Sequence, residues 1–256
     1  MRELLEEIES YWSTRTEGYW EVNQKELAGS QRKAWLSVLE AELSGADKEG
    51  LRILDVGTGP GFFPIILGEA GYCVDAVDYT QGMLELAERN VRQFLGRRAK
   101  NVHFCRMDAQ RLDFPQGTFD LVISRNLTWN LPDPRSAYGE WMRVLKPGGR
   151  LLNFDANWYG YLYDEEKKRD YERDRRDVEK ECLDDHYVGA DIPRMEEIAR
   201  SVPLSAIRRP AWDEEVLSGL GAQRVETDPG IWEKVWSSEE KLNYRSTPMF
   251  MVRAVK

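Results

Sequence analysis

The sequence predicts an α/β fold, a largely parallel sheet with helices on both faces, and three observations carry that prediction. First, the apolar run Leu51, Ile53, Leu54 and Val56 stops at glycines on alternate positions, Gly57, Gly59 and Gly61, and a helical pattern starts at Phe62. Second, further short apolar runs alternate with helical patterns down the chain. Third, Lys146-Pro147-Gly148-Gly149 forces a tight turn from a helix into another apolar run.

The glycine turn organises the rest. The run before it reads as a strand buried on both faces. Glycine allows a sharp turn and a close approach that a Cβ would block. The helix from Phe62 tolerates Pro64 in its first turn. Strand, turn and helix together predict free backbone N–H groups at a ligand site. A dinucleotide fingerprint, G-x-G-x-x-G, fails because Phe62 stands where its last glycine belongs. The pattern D-x-G-x-G-x-G, from Asp55 to Gly61, fits in full.

Around this centre the chain reads in order. Residues 1–12 form an amphipathic helix with Leu4, Leu5, Ile8, Tyr11 and Trp12 near one face. Residues 13–20 alternate polar and aromatic side chains, and a second helix carries Trp35, Leu36, Leu39 and Leu43 as far as Gly45. Tyr72–Asp78 is a strand ending in an acid. Asp78 lies 17 positions after Gly61, near the spacing at which a strand-end carboxylate meets ribose hydroxyls; Asp75, in mid-strand, is a weaker rival. Thr80 caps a helix with Met83, Leu84, Ala87, Val91 and Phe94 turned inward. Asn101–Arg106 is a strand in which His103 packs, and Phe119–Ser124 is another that delivers Arg125, Asn126 and Trp129 to its carboxyl edge. The helix from Pro134 to Leu145 leads through the turn to Arg150–Asp155. Beyond it lie an aromatic cluster, Asn157–Tyr163, and a charged solvated helix within Asp164–Asp185. Short helices from Met195 and from about Arg209 precede two strands, Ala222–Thr227 and Pro248–Val255, with Ile231, Trp232 and Trp236 between them.

The glycine pattern, Asp78, Asp108, the Phe119-Asp120 strand and the string Arg143–Leu151 together resemble the class I S-adenosylmethionine-dependent methyltransferases over residues 50–155. The resemblance implies a Rossmann-like seven-stranded sheet whose last strand is antiparallel. It also implies N-terminal cap helices (1–45), a cofactor-binding core (50–155), a helical lid insertion over the substrate (156–215) and C-terminal strands (216–256), all in one domain. The cofactor implied is S-adenosyl-L-methionine, held by Asp55, Gly57, Thr58, Gly59 and Gly61, with Asp78 on the ribose. Tyr79, Met83, Asp108 and Ala109 surround the adenosine, and Arg125 and Asn126 line cofactor or substrate. Tyr11, Tyr19 and Trp20 are candidates to cover it, Tyr19 foremost. The reaction implied is methyl transfer to N, O or S of a small molecule by in-line displacement.

His186 is the candidate base, with Asp155 and Tyr159 as orienting groups. Cys182-Leu183-Asp184-Asp185-His186 matches no metal-ligand spacing, so no metal is expected. A nicotinamide-dependent oxidoreductase is the alternative enzyme class, and a non-catalytic S-adenosylmethionine-binding protein is the third reading. The 256 residues carry a net charge of −9, which disfavours a nucleic acid partner, and no apolar run approaches a membrane span. Without a signal-peptide core, and with three scattered cysteines, a reduced cytoplasmic setting is expected. Aromatic faces and negative charge suit a cationic amine.

Overall fold

The computed structural model describes residues 2–43, 48–184 and 190–256. Three helices come first: α1 (Arg2–Thr14), α2 (Thr16–Ala28) and α3 (Gln31–Leu43). The alternating segment 13–20 is therefore helical apart from a break at Arg15, and the expected helix end at Gly45 lies outside the described residues. Next come β1 (Arg52–Val56), α4 (Phe62–Glu69), β2 (Cys73–Asp78), α5 (Gln81–Leu95), β3 (Val102–Arg106) and β4 (Phe119–Arg125). They are followed by α6 (Pro134–Val144), β5 (Leu145–Asp155), α7 (Glu165–Lys180), α8 (Ile192–Ser201), α9 (Ala211–Gly219), β6 (Arg224–Asp228), α10 (Ile231–Val235), α11 (Ser238–Asn243) and β7 (Phe250–Val255).

The strands form one seven-stranded sheet in the order β3-β2-β1-β4-β5-β7-β6. β1 to β5 are parallel, and β7 runs antiparallel to both β5 and β6. The order reverses at the β1–β4 boundary, the topological switch point where open α/β sheets bind ligands outside their carboxyl edge. One face packs Ile53, Val74, Ile123 and Phe154 under α2, α3, α4 and α5, with Trp35 fully buried among Phe62, Phe63 and Phe154. The other packs Leu54, Val56, Val122 and Leu151 under α6 and α9. A third cluster joins α1 and α8 through Ile8, Tyr11, Trp129, Tyr159, Met195 and Ile198 above the carboxyl edge.

Some sequence expectations shift. Phe94 is exposed on α5, because the helix turns it past the sheet, and it meets Trp20 edge-on. His103 is exposed, because β3 is the sheet edge. Thr80 stands at the start of α5 without a side-chain cap. The charged helix α7 does bury Asp174 and Val178, and Arg245 pairs with Asp174 and Asp177 to fasten it to the chain before β7. Helix α9, straddling residues 215 and 216, packs on α6, β6 and β7 and so belongs to the sheet's covering layer.

A buried polar chain ties these layers together. The Arg209 guanidinium, wholly enclosed, pairs with Asp155 on one side and with Asp213 of α9 on the other. Tyr138 of α6 donates its hydroxyl to Asp213 and accepts from the Asn153 amide. Removing the cation leaves two buried carboxylates uncompensated, which costs more than the pair itself contributes. Arg209→Met is expected to destabilise the chain by about 3–5 kcal/mol, read as a lower urea midpoint; a change within experimental error would contradict this account of the network.

Candidate functional site

Two cavities open at the carboxyl edge of the sheet, on the two sides of Tyr19, Arg125 and Asn126. The first, of ≈ 760 Å³, lies over the switch point. Its walls include Gly57, Gly59, Asp78, Tyr79, Met83, Asp108, Ala109 and Leu131, and α1 roofs it with Leu5, Ile8 and Trp12.

The glycine turn is built differently from the expectation. All three glycines have positive φ: Gly57 71°, Gly59 53° and Gly61 95°. Their surroundings differ. A Cβ on Gly57 would come within 2.7 Å of the Leu127 side chain, and one on Gly61 within 3.2 Å of the Ala87 Cβ, so Gly61 serves the packing of α4 on α5. Gly59 alone faces Tyr19, whose ring would lie 3.6 Å from an added Cβ. The turn's N–H groups are not free either. Gly57 and Thr58 donate to the Val77 carbonyl, Gly61 donates to the Thr58 carbonyl, and Gly59 donates to Asp78 Oδ2 at 2.9 Å. A turn whose amides are already engaged is poorly suited to cradling a phosphate.

Asp78 is the hinge of this cavity. Its other oxygen accepts the Thr80 N–H at 2.8 Å, so one carboxylate at the end of β2 fixes both the glycine turn and the start of α5. Burial pushes its carboxyl above the usual range, and the two backbone donors oppose that. The rival Asp75 pairs with Arg52 instead. Asp108 lines the cavity while accepting from both the backbone and the side-chain amide of Gln110, and Trp141 holds the Ala109 carbonyl. Arg106, at the end of β3, pairs with Glu9 of α1 and lies over the Tyr79 ring, which holds the roof helix down.

Arg125, delivered by β4, stands between the cavities. It makes a two-pronged pair with Glu26 of α2, at 2.7 and 3.1 Å, and stacks over Phe62. Burial would lower its pKa, but Glu26 outweighs that and keeps the cation charged. Asn126 adopts φ 58° and donates to the Tyr19 hydroxyl at 3.4 Å. A non-glycine residue in this region is a strained choice that clusters at functional sites. A smaller recess between the turn and Arg125 is lined by Asp55, Thr58, Tyr19 and Asn23. The Asp55 Oδ2 and the Thr58 hydroxyl are buried there without hydrogen-bond partners among the described residues. Burial pushes the Asp55 carboxyl up to about 7.

The second cavity, of ≈ 870 Å³, is walled by Tyr11, Trp12, Tyr19, Trp129, Trp158, Tyr159, Trp236 and Tyr244. Two carboxylates, Glu26 and Glu240, line it as well. Tyr159 is thus at the site, with its ring 5.0 Å from that of Trp129. Asp155 is not. It is fully enclosed, committed to Arg209, and accepts from the Trp129 N–H and the Trp158 indole. It therefore holds cavity walls and lines neither cavity itself. Trp20 is core, and Tyr11 lines only the second cavity. Of the residues between β6 and β7, Trp236 lines this cavity and Ile231 is core. His186 and Asp185 lie outside the described residues. Glu26, Asn23 and Glu240 carried no sequence signal as site residues; only the Ser237-x-x-Glu240 capping box was legible, as the start of a helix.

Residues 54–153 match the family described as "Methyltransferase domain". Among curated proteins, the chain is 37% identical over 103 residues to the demethylmenaquinone methyltransferase of Clavibacter sepedonicus, covering 40% of each chain. It is 34% identical over 132 residues to the ubiquinone/menaquinone biosynthesis C-methyltransferase UbiE of Vibrio vulnificus (strain YJ016), covering 49% of this chain and 48% of that one. The chain thus spans about half or less of the length of these relatives. Among solved structures it resembles Haemonchus contortus phosphoethanolamine N-methyltransferase 2 in complex with S-adenosyl-L-methionine, with a TM-score of 0.57, 19% identity and coverage of 84% of this chain and 51% of that one. It also resembles the putative methyltransferase in complex with the Haloferax volcanii Trm112 activator, with a TM-score of 0.59, 17% identity and coverage of 95% and 96%. At such identities the structures speak for the fold. Over residues 54–153, then, the chain is similar to methyltransferase domains. Among the described residues, no helix is long and apolar enough to cross a membrane.

Asp55 gives a pH-dependent prediction. Its proton is held to about pH 7 in the folded chain, against 3.8 for an ordinary side chain. Between those values the folded state binds more protons than the unfolded, so stability falls as pH rises. Relative to Asp55→Asn, the wild type is expected to lose melting temperature progressively from about pH 4 to about pH 7. A difference that stays constant over that range would contradict the assignment.

Proposed function

We propose that this chain is an S-adenosylmethionine-dependent methyltransferase acting on a small molecule. The first cavity takes the adenosyl group and the second takes the methyl acceptor. One observation carries the reading: a cavity over the switch point, lined by the glycine turn, Asp78 and Asp108, meets an aromatic cavity at Tyr19, Arg125 and Asn126.

The residues present suit the cofactor. Asp78 offers its remaining lone pairs to a vicinal diol, since a carboxylate accepts up to four hydrogen bonds. Met83, Ala109 and Leu131 give an adenine ring apolar surface, and Asp108 offers an acceptor at its edge. The unpartnered Asp55 oxygen in the adjoining recess is an acceptor suited to an amino-acid ammonium. The engaged amides of the turn suit a ligand without phosphate, which also separates this reading from a nicotinamide dinucleotide. The cofactor supplies a methyl group already activated on a sulfonium.

The protein's own contribution is alignment and exclusion of water. Tyr19 and Asn126 stand where the two cavities join, and the Arg125–Glu26 pair holds α2 there. The acceptor's lone pair forms the new bond to the methyl carbon as the sulfur–carbon bond breaks, and that bond's electron pair remains on sulfur. One of the curated relatives named above is a ubiquinone/menaquinone biosynthesis C-methyltransferase, so carbon joins N, O and S as the acceptor atom to be tested.

Asp78→Ala is expected to weaken binding of S-adenosylhomocysteine at least tenfold by calorimetry, since it removes an acceptor worth ~1.5–3 kcal/mol and loosens the turn. Incubating purified protein and a small-molecule panel with methyl-labelled cofactor is expected to label a product. Saturable binding of NADH in the same cavity, with no heat from S-adenosylhomocysteine, would overturn the reading.

A further inference from the structure

The second cavity has a chemical bias that its aromatic walls alone do not explain. Six of its rings, those of Trp12, Trp129, Trp158, Tyr159, Trp236 and Tyr244, line one space with Glu26 and Glu240. Arg125 is already bound to Glu26 by both prongs of its guanidinium. Glu240, 6% exposed, accepts from the Gln31 side chain and from the Ser237 N–H at 2.8 Å, both on Oε2. Its Oε1 accepts no hydrogen bond among the described residues.

Two residues that line this cavity carry a further unmatched polar atom, an acceptor in each case; Asn23 also borders the Asp55 recess and Asn126 also borders the first cavity. Asn23, 1% exposed, donates its amide N–H to Glu26, which leaves its Oδ1 buried without a partner. Asn126 donates to Tyr19, and its Oδ1 is likewise buried and unmatched. A buried acceptor without a donor costs free energy, which a ligand carrying N–H groups recovers. Burial, with the Glu26 charge added, pushes the Glu240 carboxyl up to about 7, while Arg125 and the Ser237 N–H pull it down. Near Tyr11 the charges are two cations, Arg15 and Arg194, and one anion, Asp191, and of these Arg15 lines the cavity. The unmatched acceptors therefore lie on the Glu240 side.

We propose that the second cavity selects an organic ammonium ion, a primary or secondary amine on an apolar body, with its N–H groups directed to Glu240, Asn23 and Asn126 and its charge faced by the aromatic walls. Cations are attracted to the faces of Trp and Tyr, more strongly once desolvated. A neutral flat acceptor would fill the same walls and leave all three acceptors without donors. The inference rests on the methyltransferase reading for the identity of the bound amine as the methyl acceptor, a role in which one N–H proton passes to the Glu240 carboxylate and frees the nitrogen lone pair before transfer; the binding itself is independent of that reading.

The test uses the whole chain with S-adenosylhomocysteine present, and two probes of nearly equal shape, 2-phenylethylamine and 2-phenylethanol. Binding is read by calorimetry and by the fluorescence of the wall tryptophans. The amine is expected to bind at least tenfold more tightly than the alcohol at pH 8, where Glu240 is ionised. Glu240→Gln keeps the capping bond to the Ser237 N–H. It is expected to weaken the amine at least tenfold, to leave the alcohol unchanged, and to leave S-adenosylhomocysteine binding intact. Asn23→Ala is expected to weaken the amine alone. Equal binding of the two probes would assign the cavity to a neutral aromatic acceptor and overturn the proposal, and so would absence of binding by both. If S-adenosylhomocysteine itself fails to bind, the methyltransferase reading falls; if it binds and the probes are not distinguished, only the ammonium assignment falls.

Discussion

The ion pair between Arg125 and Glu26 is the contact on which the functional half of the molecule depends. Arg125 ends β4 at the sheet's switch point, and Glu26 belongs to α2, whose Trp20 and Leu27 pack into the core on one face of the sheet. Their side chains are almost wholly removed from water, and the guanidinium lies on Phe62 with Trp35 and Phe63 close by. A buried pair is rarely a large net source of stability, because desolvation opposes the attraction. Its value here is registry. It sets α2 at one height over the carboxyl edge, and with it Tyr19, whose ring stands above Gly59 and whose hydroxyl reaches Asn126. The division into two joined cavities follows from that placement.

A second constraint works from below. Asp78 accepts from Gly59 and Thr80 at once, so the turn after β1 and the helix after β2 cannot move independently. The Asp155–Arg209–Asp213 chain does the same for the far wall, because Asp155 also fixes Trp129 and Trp158. Three charged centres thus position three sets of walls, and in each the charge is held by the protein itself. The unmatched groups are the exceptions: Asp55 in the recess, and Asn23, Asn126 and Glu240 in the aromatic cavity.

The fold was legible because its signals are local. The glycine turn, the Asp78 strand end and the Lys146–Gly149 turn each carry their meaning within a few residues, and strand burial follows from short apolar runs. The cap was less legible. Residues 13–20 mix polar and aromatic side chains with Gly18, so their pattern shows no apolar stripe, yet they form the end of α1 and the start of α2, where Tyr19 packs on Trp12 and Trp20 on Phe94. Glu26 reads as a solvated helix charge, and only the arrival of Arg125, 99 positions later, makes it a site residue. Asp155 illustrates the converse. An acid at a strand end suggests chemistry, but its partner Arg209 lies 54 positions on and takes the carboxylate into the interior. Between residues 50 and 155, where the resemblance is carried, Gly57, Gly59, Asp78, Met83, Asp108 and Ala109 do come together around one cavity. Gly61 differs because its neighbour Ala87 lies on another helix. The aromatic cavity draws on five separate segments, and no spacing rule links them.

The most direct measurement is a crystal structure of the chain with S-adenosylhomocysteine. The account predicts the ribose hydroxyls on Asp78, the adenine between Met83 and Ala109, and the sulfur at the junction formed by Tyr19 and Asn126, facing the aromatic cavity. A ligand bound elsewhere, or one whose sulfur is turned away from that junction, would contradict it.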